Sequence, residues 1–277
     1  MTGAPFSSVR AVLFDLDNTL LLEDEATDRA YLAAAQSRPG PDPARLARTA
    51  ARLADQIFRS APAFPYADAI GVSAGEAMWG TFAGESDGLR ALREYAPGFR
   101  VEVWDAALRG VGIRSEALAR ELAEAFVRAR TTRQLEDPAA TEVLDLLRGR
   151  YRLALVTNGA PDVQRAKLAG TDLARRFDAI VVSSEVGAGK PDPRPIHAAL
   201  AALEVRPEEA VMVGDSLERD IVAARAAGVY AVWLDRETPG TSGSLASEAG
   251  MRPDARITGL RELPALLGAL ALRNASR

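Results

Sequence analysis

Residues 11–20, Ala-Val-Leu-Phe-Asp-Leu-Asp-Asn-Thr-Leu, constrain the fold more than any other stretch of the chain. Ala11 to Phe14 form a short apolar run, the pattern of a strand buried on both faces of a parallel sheet. The run ends in two carboxylates, Asp15 and Asp17, spaced i, i+2. Side chains alternate along an extended chain, so this spacing aims both acids the same way if the strand geometry persists. In open α/β sheets the ligand crevice lies beyond the carboxyl ends of the strands, where this pair falls. Like charges this close repel unless a cation or a shared proton offsets them, which makes a divalent metal a natural partner. Taken alone, the pair reads equally well as a turn or a helix cap.

After Leu20 the pattern changes. Helical patterning fills Asp24–Ser37, Asp42–Ser60, Ala74–Phe82, Ser86–Tyr95, Arg100–Val111 and Ser115–Gln134, with almost no strand-like stretch up to Arg133. Arg38-Pro39-Gly40-Pro41 and Pro97-Gly98 punctuate it. From about Asp137 helix and strand alternate. Strands are expected at Arg152–Val156, Ala179–Ser183, Ala210–Val213, Tyr230–Leu234 and Ala255–Ile257. Helices are expected at Pro138–Arg148, Pro161–Leu168, Pro195–Leu203, Ile221–Ala227 and Leu260–Leu272. Such alternation predicts an α/β fold, a Rossmann-like doubly wound parallel sheet. Residues 1–20 and 135–277 form the expected core, with residues 21–134 inserted as a helical domain. Thr238–Gly250, rich in Ser and Gly, reads as a mobile loop.

Composition narrows the function classes. In 277 residues, 48% are hydrophobic and 26% charged, an ordinary globular balance. A net charge of −4 offers no basic surface for nucleic acid or anionic lipid. No apolar run is long enough to span a membrane, and Met1 to Ser8 lacks the pattern of a secretory leader. The absence of cysteine removes thiolate sites and nucleophiles and is compatible with a cytoplasmic location. The single histidine, His197, rules out a multi-histidine metal site and is assigned no role. Of the 34 basic residues only Lys167 and Lys190 are lysine, although a coding bias toward arginine explains much of that. A position that keeps lysine can require a compact point charge in place of a planar fork.

Four strand ends carry polar residues that could meet at one edge of the sheet. They are Asp15 with Asp17, Thr157-Asn158-Gly159, the loop ending in Gly189-Lys190, and Asp215 with Ser216 and Asp220. Each has a plain reading as a turn, a surface lysine or a helix cap. Together they offer carboxylate oxygens for a hard cation, a lysine charge, and a hydroxyl with free backbone N–H groups. Magnesium favours a few carboxylates plus water and substrate phosphate, and phosphoryl transfer needs charge neutralised around an in-line nucleophile.

Asp15-Leu16-Asp17-Asn18-Thr19, Thr157-Asn158-Gly159, Gly189-Lys190-Pro191-Asp192-Pro193 and Gly214-Asp215-Ser216-Leu217-Glu218-Arg219-Asp220 resemble, in order, the four motifs of the haloacid dehalogenase-like (HAD) superfamily of phosphohydrolases. The insertion stands where that superfamily places a helical C1 cap. Gln164, Lys167 and Val232-Trp233 are similar to its N-acylneuraminate-9-phosphatase and pyrimidine nucleotidase-like members. The resemblance implies a magnesium-dependent phosphatase of a small phosphorylated metabolite: a sugar phosphate, a phospho-acid or a nucleoside monophosphate. It implies Asp15 as nucleophile, forming an aspartyl-phosphate, and Asp17 as general acid and then base. Thr157, the Asn158 N–H and Lys190 are implied to bind the phosphoryl group. Magnesium is implied to rest on Asp15, the Asp17 carbonyl and Asp215, with Asp220 and Ser216 behind them, while Asn18 and Gly159 shape backbone.

Asp17 argues against dehalogenase chemistry, whose enzymes generally lack that second acid. The absence of lysine from residues 21–134 argues against a phosphonate-cleaving Schiff base. A phosphomutase of the β-phosphoglucomutase type and a non-catalytic binding module on the same fold stand as alternatives. The insertion is expected to close over the site and supply specificity. Asp24 to Arg29 is its first candidate stretch, and Arg29, Arg52 and Arg59 read chiefly as a solvated helix face.

Overall fold

The computed structural model describes residues 8–132, 134–236 and 251–275. Thr238–Gly250, the expected mobile loop, lies outside the described residues. The chain divides into two compact units. One comprises Met1–Leu21, Glu136–Asn158 and Thr171–Arg277, and the other Leu22–Leu135 with Gly159–Gly170.

The first unit is built on a parallel six-stranded sheet. Its strands are β1 (Ala11–Phe14), β2 (Arg152–Thr157), β3 (Ala179–Val182), β4 (Ala210–Gly214), β5 (Tyr230–Leu234) and β6 (Ala255–Ile257). Their order is β3-β2-β1-β4-β5-β6, which makes β1 an inner strand flanked by β2 and β4. Phe14 lies level with Leu155 and Val213, so the residues following all three strands emerge at one edge. Alternation divides β1 between two faces. Ala11 and Leu13 join Ala154, Val156, Ala210 and Met212 beneath Ile196, Leu200 and Ala224. Phe14, facing the other way, meets Phe177 edge-on. Both faces are fully buried, which is why the strand carries no polar residue before Asp15.

The second unit is helical: α1 (Glu23–Gln36), α2 (Pro43–Arg59), α3 (Phe64–Ile70), α4 (Ala74–Ala77), α5 (Asp87–Arg109), α6 (Glu116–Thr131) and, beyond α7 (Ala140–Leu147) of the sheet unit, α8 (Pro161–Ala169). The remaining helices, α9 (Ser183–Val186), α10 (Arg194–Leu203), α11 (Val222–Ala226) and α12 (Leu263–Ala275), belong to the sheet unit. Side-chain caps from Asp42, Ser73, Ser86 and Ser115 begin α2, α4, α5 and α6. Tyr31, Trp104 and Phe126 form one aromatic cluster of this unit, and Phe58, Phe64, Tyr95 and Phe99 another.

Two expectations about these helices are corrected. The break at Pro97-Gly98 does not occur, and α5 runs through both residues. They lie on its exposed face, where water can take the carbonyl that proline leaves unbonded. Leu92, Ala96, Phe99 and Val103 keep the buried face continuous across them. The helix expected over Ala74–Phe82 ends at Ala77, and Phe82 takes a left-handed φ of 53°. A Cβ on Gly80 would lie 2.8 Å from Phe82 and from Val163, so the chain there follows close packing in place of helical propensity.

Lys167 is buried in the helical unit. Its ammonium meets Glu76 Oε1 at 2.8 Å and Glu23 Oε2 at 3.5 Å. Gln164 Nε2 donates to the same Glu76 oxygen at 2.6 Å, and Arg130 pairs with Glu23 while resting on the Trp79 ring. Burial raises the Glu23 pKa, but Lys167 and Arg130 outweigh it and leave the carboxyl below its ordinary value of 4.5. A depressed folded-state pKa gives stability that is full above that value and lost as pH falls through the folded one. Acid unfolding followed by circular dichroism should therefore lose less stability below about pH 4.5 in Glu23→Gln than in the wild type. Parallel acid-unfolding curves would remove Glu23 from the account.

Candidate active site

Each strand of the inner sheet delivers its polar residues by ending where it does. Asp15 follows directly from β1, its N–H donating to the Val213 carbonyl at 2.9 Å. Thr157 closes β2, and Asn158 follows it. Asn158 and Lys190 hold each other through the backbone: the Lys190 N–H donates to Asn158 Oδ1 at 2.8 Å, and Asn158 Nδ2 donates to the Lys190 carbonyl at 2.9 Å. That pairing brings the loop after β3 against the end of β2.

The Lys190 ammonium lies at the centre of the cluster. It donates to Asp15 Oδ1 at 2.5 Å, Asp220 Oδ1 at 2.7 Å and the Val156 carbonyl at 2.7 Å. Three donors meet three acceptors, which satisfies a buried ammonium completely. Burial alone would pull its pKa down, but Asp15 and Asp220 hold it above its ordinary value. Lys190 is thus a fixed positive charge.

Beyond β4 the chain makes a π-helical turn over Leu217–Ile221, capped by the Ser216 hydroxyl, which accepts from the Arg219 N–H at 3.2 Å. This turn carries Asp220 back over the strand end, where its Oδ2 accepts from the Ser216 N–H at 3.1 Å. Gly214 makes the return possible, because a Cβ there would lie 2.2 Å from Asp220 Oδ2. Asp15, Asp215 and Asp220 each place a carboxylate oxygen within 4.8 Å of the others.

Three carboxylates against one ammonium leave two negative charges over. Burial, and then Asp15 and Asp220, push the Asp215 carboxyl well above the usual carboxylate range. Burial also pushes Asp220 up to about 6, with Asp15 adding to the rise and Lys190 opposing it. Such repulsion is what a hard divalent cation relieves, and an oxygen-only donor set suits magnesium.

The residues expected from the sequence fall as follows. Asp15, Asp215, Asp220, Lys190 and Asn158 come together through the contacts above, and Thr157 lies buried at the adjoining strand end. Asp17 is half-buried two residues beyond Asp15 and is not among the three converging carboxylates. Asp220, expected behind the site, bonds Lys190 directly. Ser216 caps the turn. His197 is exposed. Arg29, Arg52 and Arg59 pair along their own helices with Glu25, Gln56 and Asp55.

Three residues with no role assigned from the sequence also shape the cluster. Thr19, fully buried, accepts from the Asp215 N–H at 3.1 Å and donates to Asp215 Oδ1 at 3.2 Å. The Trp233 indole donates to the Asp215 carbonyl at 2.8 Å. Arg236 bonds the carbonyls of Asn18 and Thr19. Thr19, inside the first motif, and Trp233, in the Val232-Trp233 pair, carried a signal in the sequence, and Arg236 carried none.

The chain is similar to known proteins over most of its length. The family model described as haloacid dehalogenase-like hydrolase matches residues 9–228. A phosphoserine phosphatase of Thermus thermophilus is 44% identical, over 92% of this chain and 98% of its own. The N-acylneuraminate-9-phosphatase of Rattus norvegicus is 28% identical, over 94% of each chain. Among solved structures, a HAD phosphatase from Thermococcus onnurineus superposes with a TM-score of 0.52 at 28% identity, covering 94% of this chain and 98% of that one.

Proposed function

This chain belongs to the haloacid dehalogenase-like hydrolases and is a phosphatase of that family, and on that premise we propose that it hydrolyses a small phosphorylated metabolite through a phosphorylated Asp15 with magnesium bound. The observation that carries the reading is the buried Lys190 ammonium shared by Asp15 and Asp220, with Asp215 in reach of both. A nucleophilic carboxylate, a fixed positive charge and further carboxylates able to hold a divalent cation are what a two-step phosphoryl transfer draws on.

In the first step an Asp15 carboxylate oxygen attacks phosphorus, and the ester oxygen leaves with a proton from Asp17. In the second, Asp17 takes a proton from water, the water oxygen bonds phosphorus, and the bond to Asp15 breaks to release inorganic phosphate. Lys190, the Thr157 hydroxyl and the Asn158 N–H offset charge on the transferring group. Asp15, Asp215 and the Asp17 carbonyl would hold magnesium, with Asp220 behind them, and the ion would supply further charge neutralisation at the phosphoryl oxygens.

The relative at 44% identity makes O-phosphoserine the first substrate to try, ahead of sugar phosphates and nucleoside monophosphates. Phosphate release from a panel of these compounds should centre on one chemical class. It should fall at least ~10²-fold with a chelator and return with added magnesium. Unchanged release in the chelator would end the magnesium assignment. A product phosphorylated at a new position, without free phosphate, would mark a mutase instead.

A further inference from the structure

We propose that Arg236 is a positioning residue, a clamp that holds the loop after β1 so that Asp215 and the Asp17 carbonyl stay in place for the metal; this rests on the magnesium reading above. Arg236 follows β5 by two residues, on a strand that supplies none of the four motifs. Its guanidinium is spent in three directions. Nε donates to the Asn18 carbonyl, Nη2 to the Thr19 carbonyl at 2.6 Å, and Nη1 pairs with Asp137 Oδ2 at 2.8 Å.

Asp137 is itself fixed. Its N–H donates to the Leu20 carbonyl at 2.9 Å and its Oδ1 accepts from the Ala139 N–H at 2.7 Å. Arg236 therefore ties the end of β5 to the loop after β1 and to the start of α7. The loop needs such a tie, because Asn18 sits at φ 57°, a left-handed conformation that a non-glycine residue holds only when its surroundings impose it. The Leu16 carbonyl accepts from the N–H groups of Thr19, Leu20 and Leu21, closing a tight turn just beyond Asp15.

The Thr19 hydroxyl carries the constraint onward. It bonds both the N–H and the carboxylate of Asp215. Trp233, three residues before Arg236, holds the Asp215 carbonyl from the other side, with Arg256 stacked 5.5 Å from its ring centre. One strand end thus grips both loops whose residues would hold the ion. A planar fork with donors in three directions can make these bonds together, and a lysine ammonium cannot reproduce that geometry.

The test compares Arg236→Gln, Arg236→Lys, Thr19→Val and Thr19→Ser with the wild type. Magnesium affinity is measured by calorimetry, kcat and KM by phosphate release, and loop order by hydrogen exchange at the Thr19, Leu20 and Leu21 amides. Arg236→Gln should weaken magnesium binding ~10- to 100-fold, lower kcat more than KM changes, and speed exchange at those three amides. Arg236→Lys should recover little of this. Thr19→Val should reproduce the loss of metal affinity and Thr19→Ser should restore it.

A folded Arg236→Gln protein with wild-type magnesium binding and wild-type exchange overturns the clamp. If Arg236→Gln does not fold, the Thr19 pair decides, and equal magnesium affinity in Val and Ser variants overturns it. Should the wild type bind no magnesium, the metal reading fails by itself. Faster exchange in Arg236→Gln would then still show that Arg236 holds the loop, and unchanged exchange would remove that too.

Discussion

Asp15→Asn should lower turnover on the order of 10⁴-fold or more while leaving the fold intact. The asparagine oxygen can still accept from Lys190, so the packing around the ammonium survives. One of three mutually repelling carboxylates is neutralised, and the metal-free protein should melt no lower than the wild type. A kinetic assay beside a thermal melt separates the two effects. Turnover within tenfold of the wild type would remove Asp15 as nucleophile, and lost activity with a collapsed melt would leave the role unproven by this variant.

The second large effect lies in the helical unit. Lys167→Met removes the ammonium between two buried carboxylates, leaving Glu76 with the Gln164 amide and the Ser73 N–H as its remaining donors in this network. Breaking one side of a buried ion pair costs ~3–5 kcal/mol, because the other charge stays behind without compensation. Urea unfolding should show a loss of that order. Adding Glu76→Gln should recover much of it, since a neutral amide replaces the stranded charge. A single variant as stable as the wild type would mean that the network is solvated and contributes little.

These two experiments bracket the two lysines of the chain. Both turn out to be buried among carboxylates, one at the sheet edge and one among helices. The near-absence of lysine elsewhere was the compositional clue. What the sequence could not supply was the identity of the Lys167 partners, because Glu23, Glu76 and Arg130 lie far from it in the chain and carry no motif.

The sheet was legible because its strands are short apolar runs with no competing period, and all six strands begin and end within one residue of expectation, with β1, β5 and β6 matching at both ends. Helix starts marked by Asp42 and Ser115 were legible for the same local reason, an oxygen-bearing cap before an apolar repeat. Pro97-Gly98 misled because punctuation residues say nothing about which face of a helix they occupy. No helix was expected between Ser60 and Ala74, where α3 carries Pro65 in its first turn, a position at which proline costs little.

At the site, the acids and Lys190 were legible from residue type and from their place after strands. The contacts of Arg236 and Trp233 were not. They end on backbone carbonyls, which every residue possesses, so no choice of side chain in the first motif announces them. Asp220 was placed behind the site by the family resemblance alone, which does not say how the chain turns after β4. The π-helical turn, opened by Gly214, brings it back onto Lys190.

The central claim is the phosphorylated Asp15. It is tested most directly by mixing excess enzyme and magnesium with substrate labelled in its phosphoryl group, quenching in acid within milliseconds, and mapping the label by peptide. The account predicts label that appears on the peptide containing Asp15 before free phosphate does, then passes into phosphate. Label appearing in phosphate with none on the protein at any time, or label on a different residue, would contradict it.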